Sequence, residues 1–243
     1  MARTVAWFSA GAASAVATKI AVTEDPSTVV AYCDTGSEHP DNVRFRSAVA
    51  AWLGHPIVVL RSESYADVDD VIERRQFIVG PTGAPCTGIL KRDVRYKFQR
   101  VDDRQVFGFT SEEEDRAKRF RDNNPEVDMW CPLIERGLDK AATLALIERA
   151  GIELPAMYLL GYRNNNCIGC VKGGMGYWNK IRNDFPVVFK RRADQERDIG
   201  HAINSDAAGP VYLDELDPDR GDYPTEIVRD CSLMCAPVEA GWA

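Results

Sequence analysis

Short apolar runs alternate with helical stretches from Thr4 to Leu60, and that alternation constrains this chain more than any other feature. Thr4 to Phe8 is an apolar run, followed by the small-residue turn Ser9-Ala10-Gly11-Ala12-Ala13-Ser14. Ala15 to Val22 is Ala-rich with helical spacing, and Thr28 to Tyr32 is a second apolar run ending at Cys33-Asp34-Thr35-Gly36. The pattern predicts a helix from Asp41 to Leu53, capped by Pro40-Asp41, and a third strand over Ile57 to Leu60. A strand, a crossover helix and another strand are the parallel βαβ unit, so the chain is predicted to be α/β with a mostly parallel sheet flanked by helices.

Beyond Arg61 the pattern weakens. Asp67 to Phe77 and Gly88 to Val101 read as helical, separated by the loop-forming Gly80-Pro81-Thr82-Gly83-Ala84-Pro85. Gln105 to Phe109 reads as a strand and Glu112 to Arg121 as a charged helix. Lys140 to Ala150 has amphipathic spacing and meets Gly151, a helix-ending residue. Gly161 to Gly176 is polar and Gly-rich, Tyr177 to Phe189 follows, and Leu213 to Asp219 is acidic. No internal repeat or low-complexity segment interrupts the chain.

Composition narrows the class of function. The charge of −7 from 30 Lys+Arg and 37 Asp+Glu argues against a generic electrostatic nucleic-acid binder. A local basic face is still compatible with it. Lys91, Arg92, Arg95, Lys97, Arg100 and Arg104 outnumber Asp93, Asp102 and Asp103 over one short stretch, which reads equally well as a solvated helix face. No apolar run approaches the ~20 residues of a membrane span. The opening residues lack a signal-peptide layout, so a cytoplasmic protein without membrane attachment is expected.

Seven cysteines in such a compartment are expected to be thiols or metal ligands. Cys33 and Cys131 sit among apolar neighbours and read as packing residues. Cys86 and the Cys167-Ile168-Gly169-Cys170 turn offer three thiolates, enough for an iron–sulfur cluster with one iron left open. Zinc on Cys167, Cys170, Cys231 and Cys235 is the alternative, then a redox dithiol, then unliganded thiols. Asn164 to Asn166 offer amides to the sulfurs, and Lys91, Arg92 and Lys172 offer positive charge. Two further features bear on ligands. The Ser9–Ser14 turn opens a helix, where bare N–H groups take phosphate. Asp34, ending a parallel strand, suits a ribose hydroxyl, an adenine amino group or Mg²⁺; plain turn-forming roles compete for both features.

Taken in order, these segments resemble the PAPS-reductase-like family of the PP-loop (adenine nucleotide alpha-hydrolase) superfamily. Phe8 to Ser14 is similar to its S-G-G-x-x-S phosphate loop, and Cys33 to Pro40 to its D-T-G-x-x-x-P motif, with Asn42 to Phe45 matching the helix that follows. Cys86-Thr87-Gly88-Ile89-Leu90-Lys91 is similar to the C-C/T-x-x-x-K segment, Cys131-Pro132-Leu133 to a P-L before a helix, and Gly161 to Cys170 to G-Y-x-x-x-x-C-x-x-C. The resemblance runs from Val5 to Gly174.

The resemblance implies a Rossmann-like sheet, an adenine nucleotide and sulfur chemistry, with residues 1–190 as the nucleotide-binding domain and 191–243 as a C-terminal helix and acidic, Cys-containing arm. It implies phosphate and nucleoside binding by Ser9, Ala10, Gly11, Ala12, Ala13, Ser14, Asp34, Thr35 and Gly36. It also implies a [4Fe–4S] cluster on Cys86, Cys167 and Cys170, since Thr87 stands in place of a second paired cysteine. Lys91, Cys231 and Cys235 are the catalytic candidates. Ala13 stands where many ATP-using members carry Asp, and Asp230 to Cys235 echo the reductases' nucleophile motif without its His. The first expectation is sulfur transfer to an ATP-adenylated acceptor such as tRNA or DNA, with a cysteine desulfurase as donor. The second is reduction of PAPS or APS with thioredoxin, and the third a zinc-binding nucleotide sensor without turnover.

Overall fold

The structure is a computed structural model of the 243-residue chain and describes residues 2–81 and 83–224. The elements begin β1 (Thr4–Phe8), α1 (Ala12–Glu24), β2 (Val29–Cys33), α2 (Asn42–Leu53) and β3 (Ile57–Leu60). Then come α3 (Val68–Arg75), α4 (Pro85–Thr87), a π-helical turn Gly88–Arg92, α5 (Asp93–Phe98), β4 (Arg104–Val106) and the 3-10 turn Ser111–Glu113. Next are α6 (Glu114–Asn123), β5 (Asp128–Trp130), α7 (Pro132–Glu135), α8 (Lys140–Arg149) and α9 (Ala156–Leu159). The described chain closes with α10 (Met175–Asp184), α11 (Pro186–Ile199), β6 (Asn204–Asp206) and β7 (Gly209–Val211). Among these residues no helix is long and apolar enough to cross a membrane.

Two compact units are interleaved along the chain. One takes the described residues of Met1–Asp34, His39–Arg61 and Val94–Asn165; the other takes Thr35–Glu38, Ser62–Asp93 and the described part of Asn166–Ala243.

The first unit holds an all-parallel five-stranded sheet in the order β3-β2-β1-β4-β5, a Rossmann-like α/β arrangement flanked by helices. Val5 lies opposite Val29 on one side and Gln105 on the other, so β1 is central. A central parallel strand is covered on both faces, which is why Thr4-Val5-Ala6-Trp7-Phe8 is apolar without alternation and buried throughout. The core joins Phe8, Tyr32, Phe45, Val49, Val106, Trp130, Leu133 and Ile147 with the Ala-rich face of α1. Alanines at Ala12, Ala15, Ala17 and Ala21 let α1 lie close to the sheet. Helix α8 ends as Gly151 suggests: Gly151 has φ +72°, its N–H reaches the Glu148 carbonyl, and Ile152 N–H reaches the Ile147 carbonyl.

The second unit packs Val68, Val71, Ile72, Ile78, Leu90, Cys167 and Val171 into a smaller core. Glu196 on α11 is buried and accepts the Ile203 and Leu213 N–H groups at 2.5 and 2.6 Å, holding the segment that carries the antiparallel β6–β7 pair.

Several local expectations are corrected. The helix expected over Gly88 to Val101 begins as the π-helical turn and ends at Phe98. The stretch Tyr177 to Phe189, to which the sequence assigns no element, falls in two helices divided where Pro186 cannot donate to the preceding turn. The Asp41 side chain does not cap α2; its carboxylate pairs instead with Arg44. The basic stretch is not one solvated face either. Lys91 and Arg95 are 5% and 1% exposed. Lys91 faces Glu38, and Arg95 stacks on the Tyr96, Phe107 and Phe120 rings.

Candidate functional site

In the first unit, successive strands step outward from β1 to β2 and β3, and the chain then returns to add β4 and β5 on the other side. The order therefore reverses between β1 and β4, and the crevice beyond their carboxyl ends is where open parallel sheets place ligands. The Ser9–Ser14 turn leaves β1 at that point. Gly11 is the N-cap of α1 and carries no side chain to occupy the helix end, and the first turn of α1 has no acidic residue. The N–H groups and the positive end of the helix dipole are therefore suited to an anion.

Ser14 organises the turn. Its hydroxyl donates to the Gly11 carbonyl at 2.9 Å and accepts the Ser9 N–H at 3.0 Å, with the Ser9 hydroxyl 3.1 Å away. Ala10 holds φ +58°, left-handed geometry that an alanine adopts at a cost and a glycine does not. The Asn165 amide donates to the Ala10 carbonyl and to Asn42 Oδ1, both at 2.7 Å. Tyr158 brings its hydroxyl over Gly11, 3.4 Å from where a Cβ would stand. Gly108, two residues past β4, lies so close that an added Cβ would stand 2.7 Å from Ser14 Cα. Tyr158 and Gly108 were not among the sequence candidates, and Asn165 was expected at the sulfurs rather than at this turn. Asp34 Oδ2 accepts Arg61 Nη2 at 2.6 Å and Nε at 3.1 Å, a pairing that keeps the carboxylate at the end of β2.

The second unit gathers the thiol candidates. Thr35 Oγ1 lies 3.1 Å from Cys167 Sγ, both groups buried. Gly36 follows at φ +70°, where a Cβ would stand 2.4 Å from the Ala66 carbonyl oxygen. The Ser37 carbonyl accepts the Ile168 N–H at 3.0 Å, and the Ser37 hydroxyl accepts the Val68 N–H at the start of α3. Glu38 lies 3.6 Å from Lys91 Nζ, with both side chains nearly inaccessible. Thr35 to Glu38 thus touch the Cys-x-x-Cys turn, α3 and the π-helical turn.

The Cys-x-x-Cys turn is braced from α10. Tyr177 Oη accepts the Cys170 N–H at 2.8 Å and donates to the Cys167 carbonyl at 3.4 Å. Gly173 makes room for that ring, since a Cβ there would stand 1.9 Å from Tyr177 Cδ1. Cys86, Cys167 and Cys170 carry reduced thiols, and Cys86 packs against the core cluster that contains Cys167. In kind, these soft donors suit a thiophilic metal or cluster. Among the described residues no three His, Cys, Asp or Glu side chains converge as a ligand group.

The amides expected around the sulfurs are partly committed elsewhere: Asn164 Oδ1 accepts Lys140 Nζ at 2.6 Å, and Asn165 serves Ala10 and Asn42. Cys33 and Cys131 are buried reduced thiols, and burial pushes the Cys131 thiol up to about 12. Cys231 and Cys235 lie outside the described residues. No protein-family model matches this chain, and no curated protein matches it either.

Proposed function

We propose that the chain is a PAPS-reductase-like enzyme that binds an adenine nucleotide and carries out sulfur transfer to an adenylated acceptor. The observation that carries this reading is the 3.1 Å contact between Thr35 Oγ1 and Cys167 Sγ. It joins the D-T-G segment to the Cys-x-x-Cys turn across 132 residues of sequence, two of the motifs that carry the resemblance.

In this reading the N–H groups of the Ser9–Ser14 turn hold the phosphates of ATP. An acceptor oxygen attacks the α-phosphorus, the bond to the β-phosphate oxygen breaks, and pyrophosphate leaves. Hydrosulfide, released from the persulfide of a cysteine desulfurase by a two-electron thiol reductant that is oxidised to its disulfide, then attacks the acceptor carbon, and AMP departs with the oxygen. Lys91, held by Glu38, is the catalytic cation that the resemblance offers. Cys86, Cys167 and Cys170 would hold a [4Fe–4S] cluster, whose chemistry when bound is to present sulfur as a nucleophile. Thr35 steadies the Cys167 sulfur, and Tyr177 fixes the turn that separates Cys167 from Cys170.

Anaerobic purification with metal and sulfide analysis, followed by calorimetry with ATP and PAPS, tests the reading. Brown protein with about four irons and four sulfides per chain and preference for ATP is expected. Preference for PAPS with sulfite release would replace it with the reductase reading. Colourless protein holding one zinc would replace it with a nucleotide-sensing module.

A further inference from the structure

Asn165 is only 7% exposed, and its amide nitrogen donates within the first unit, to the Ala10 carbonyl and to Asn42 Oδ1. Its Oδ1 is buried and has no hydrogen-bond partner among the described residues. The side chain that holds the Ala10 carbonyl therefore has one buried acceptor left without a protein partner among the described residues.

A trans peptide directs its C=O and N–H to opposite sides. Fixing the Ala10 carbonyl toward Asn165 therefore fixes the Gly11 N–H away from it. Ala10, whose carbonyl is held in this way, has a left-handed φ of +58°. Released from Asn165, an alanine relaxes toward right-handed geometry, the Ala10–Gly11 peptide rotates, and a carbonyl replaces an N–H in the turn. A carbonyl repels phosphate where an N–H attracts it.

We propose that Asn165 is the positioning residue of the anion-binding turn: by holding the Ala10 carbonyl it sets the Ala10–Gly11 peptide in the orientation that receives phosphate. Asn42 backs it from the first turn of α2 by accepting from the same amide group. The inference rests on the reading of Ser9–Ser14 as a phosphate site.

Titration calorimetry with inorganic pyrophosphate and with ATP tests it on four proteins: wild type, Asn165→Ala, Ala10→Gly and the double variant. Asn165→Ala should weaken both ligands at least tenfold. Ala10→Gly alone sets the affinity against which the double variant is read. In the double variant, the glycine that replaces Ala10 adopts the left-handed geometry without strain, so most of the lost affinity should return. A general packing defect at Asn165 would not be repaired by removing a methyl group from Ala10. Asn165→Ser replaces Asn165→Ala if the latter does not fold. Wild type that binds neither ligand overturns the phosphate reading and the inference with it. Wild-type binding with an unaffected Asn165 variant, or a loss that Ala10→Gly does not repair, overturns the inference alone.

Discussion

The Asp41 carboxylate and the Arg44 guanidinium meet fork to fork, Oδ1 on Nε at 2.6 Å and Oδ2 on Nη2 at 2.8 Å. The same carboxylate accepts the Ala156 N–H at 2.9 Å, and Arg44 also reaches the Glu153 and Leu154 carbonyls. The pair thus ties the start of α2 to the segment that opens α9, from which Tyr158 reaches the Ser9–Ser14 turn.

Arg44 holds the Asp41 carboxyl below its ordinary range, against the opposing effect of burial. A carboxyl lowered in the folded state contributes stability that is present above its unfolded pKa and lost as pH falls through the folded one. The midpoint of thermal unfolding should therefore drop as pH falls from ~4, and less steeply in Asp41→Asn than in wild type. At neutral pH the same variant should cost about 1–2 kcal/mol in denaturant unfolding. Parallel pH profiles for the two proteins would refute the assignment.

Gly108→Ala should act on the turn from the side of β4. The added Cβ would stand 2.7 Å from Ser14 Cα and 2.8 Å from Ser14 N, so backbone must move. Overpacking of this kind costs about 1–3 kcal/mol. Unfolding in urea should show a loss of that size, and ATP affinity should fall with it; a loss of stability with intact affinity would mean that the turn tolerates displacement.

Thr35→Val keeps the shape of the side chain and removes its hydroxyl from Cys167 Sγ. Losing a contact of about 1 kcal/mol at the sulfur should change the alkylation rate of Cys167 about fivefold. Alkylation rates followed by mass spectrometry at residue level should show the change, while Thr35→Ser retains the wild-type rate. Equal rates in all three proteins would remove Thr35 from any role at the sulfur.

Glu38 and Lys91 form an ion pair with little access to water. Breaking a buried pair by removing one member costs about 3–5 kcal/mol. Lys91→Met should therefore destabilise the protein strongly, and Glu38→Gln combined with Lys91→Met should recover much of that stability. If Lys91 also serves the reaction, the double variant will fold and remain inactive. Recovery of activity in it would assign Lys91 to structure alone.

The sheet was legible because burial on both faces leaves a direct mark: Thr4 to Phe8 reads as a short apolar strand and is one. Strand β3 was visible for its apolar residues, although Val58 and Val59 at the sheet edge are each 40% exposed. Charge was misleading where its compensation lies far along the chain. Nothing beside Lys91 announces Glu38, and the rings around Arg95 include Phe107 and Phe120. Contacts such as Thr35 with Cys167 or Asn165 with Ala10 span 132 and 155 residues, so composition and periodicity carry no trace of them. Short elements behaved differently again: β5 has three residues, too few to establish a period.

The chain passes from one compact unit to the other after residues 34, 38, 61, 93 and 165. Neither unit is therefore available as a cassette: no single cut frees it, and no contiguous stretch encodes it. A ribosome releases the whole sheet before the Cys-x-x-Cys turn exists, yet the Thr35 hydroxyl and the Ser37 carbonyl must wait for that turn to find their partners. Such long closures are slow to make. Maturation of the thiol-bearing unit is therefore a late event in synthesis, and a chain cut short before Cys167 would carry every strand of the sheet while leaving Thr35 without its sulfur.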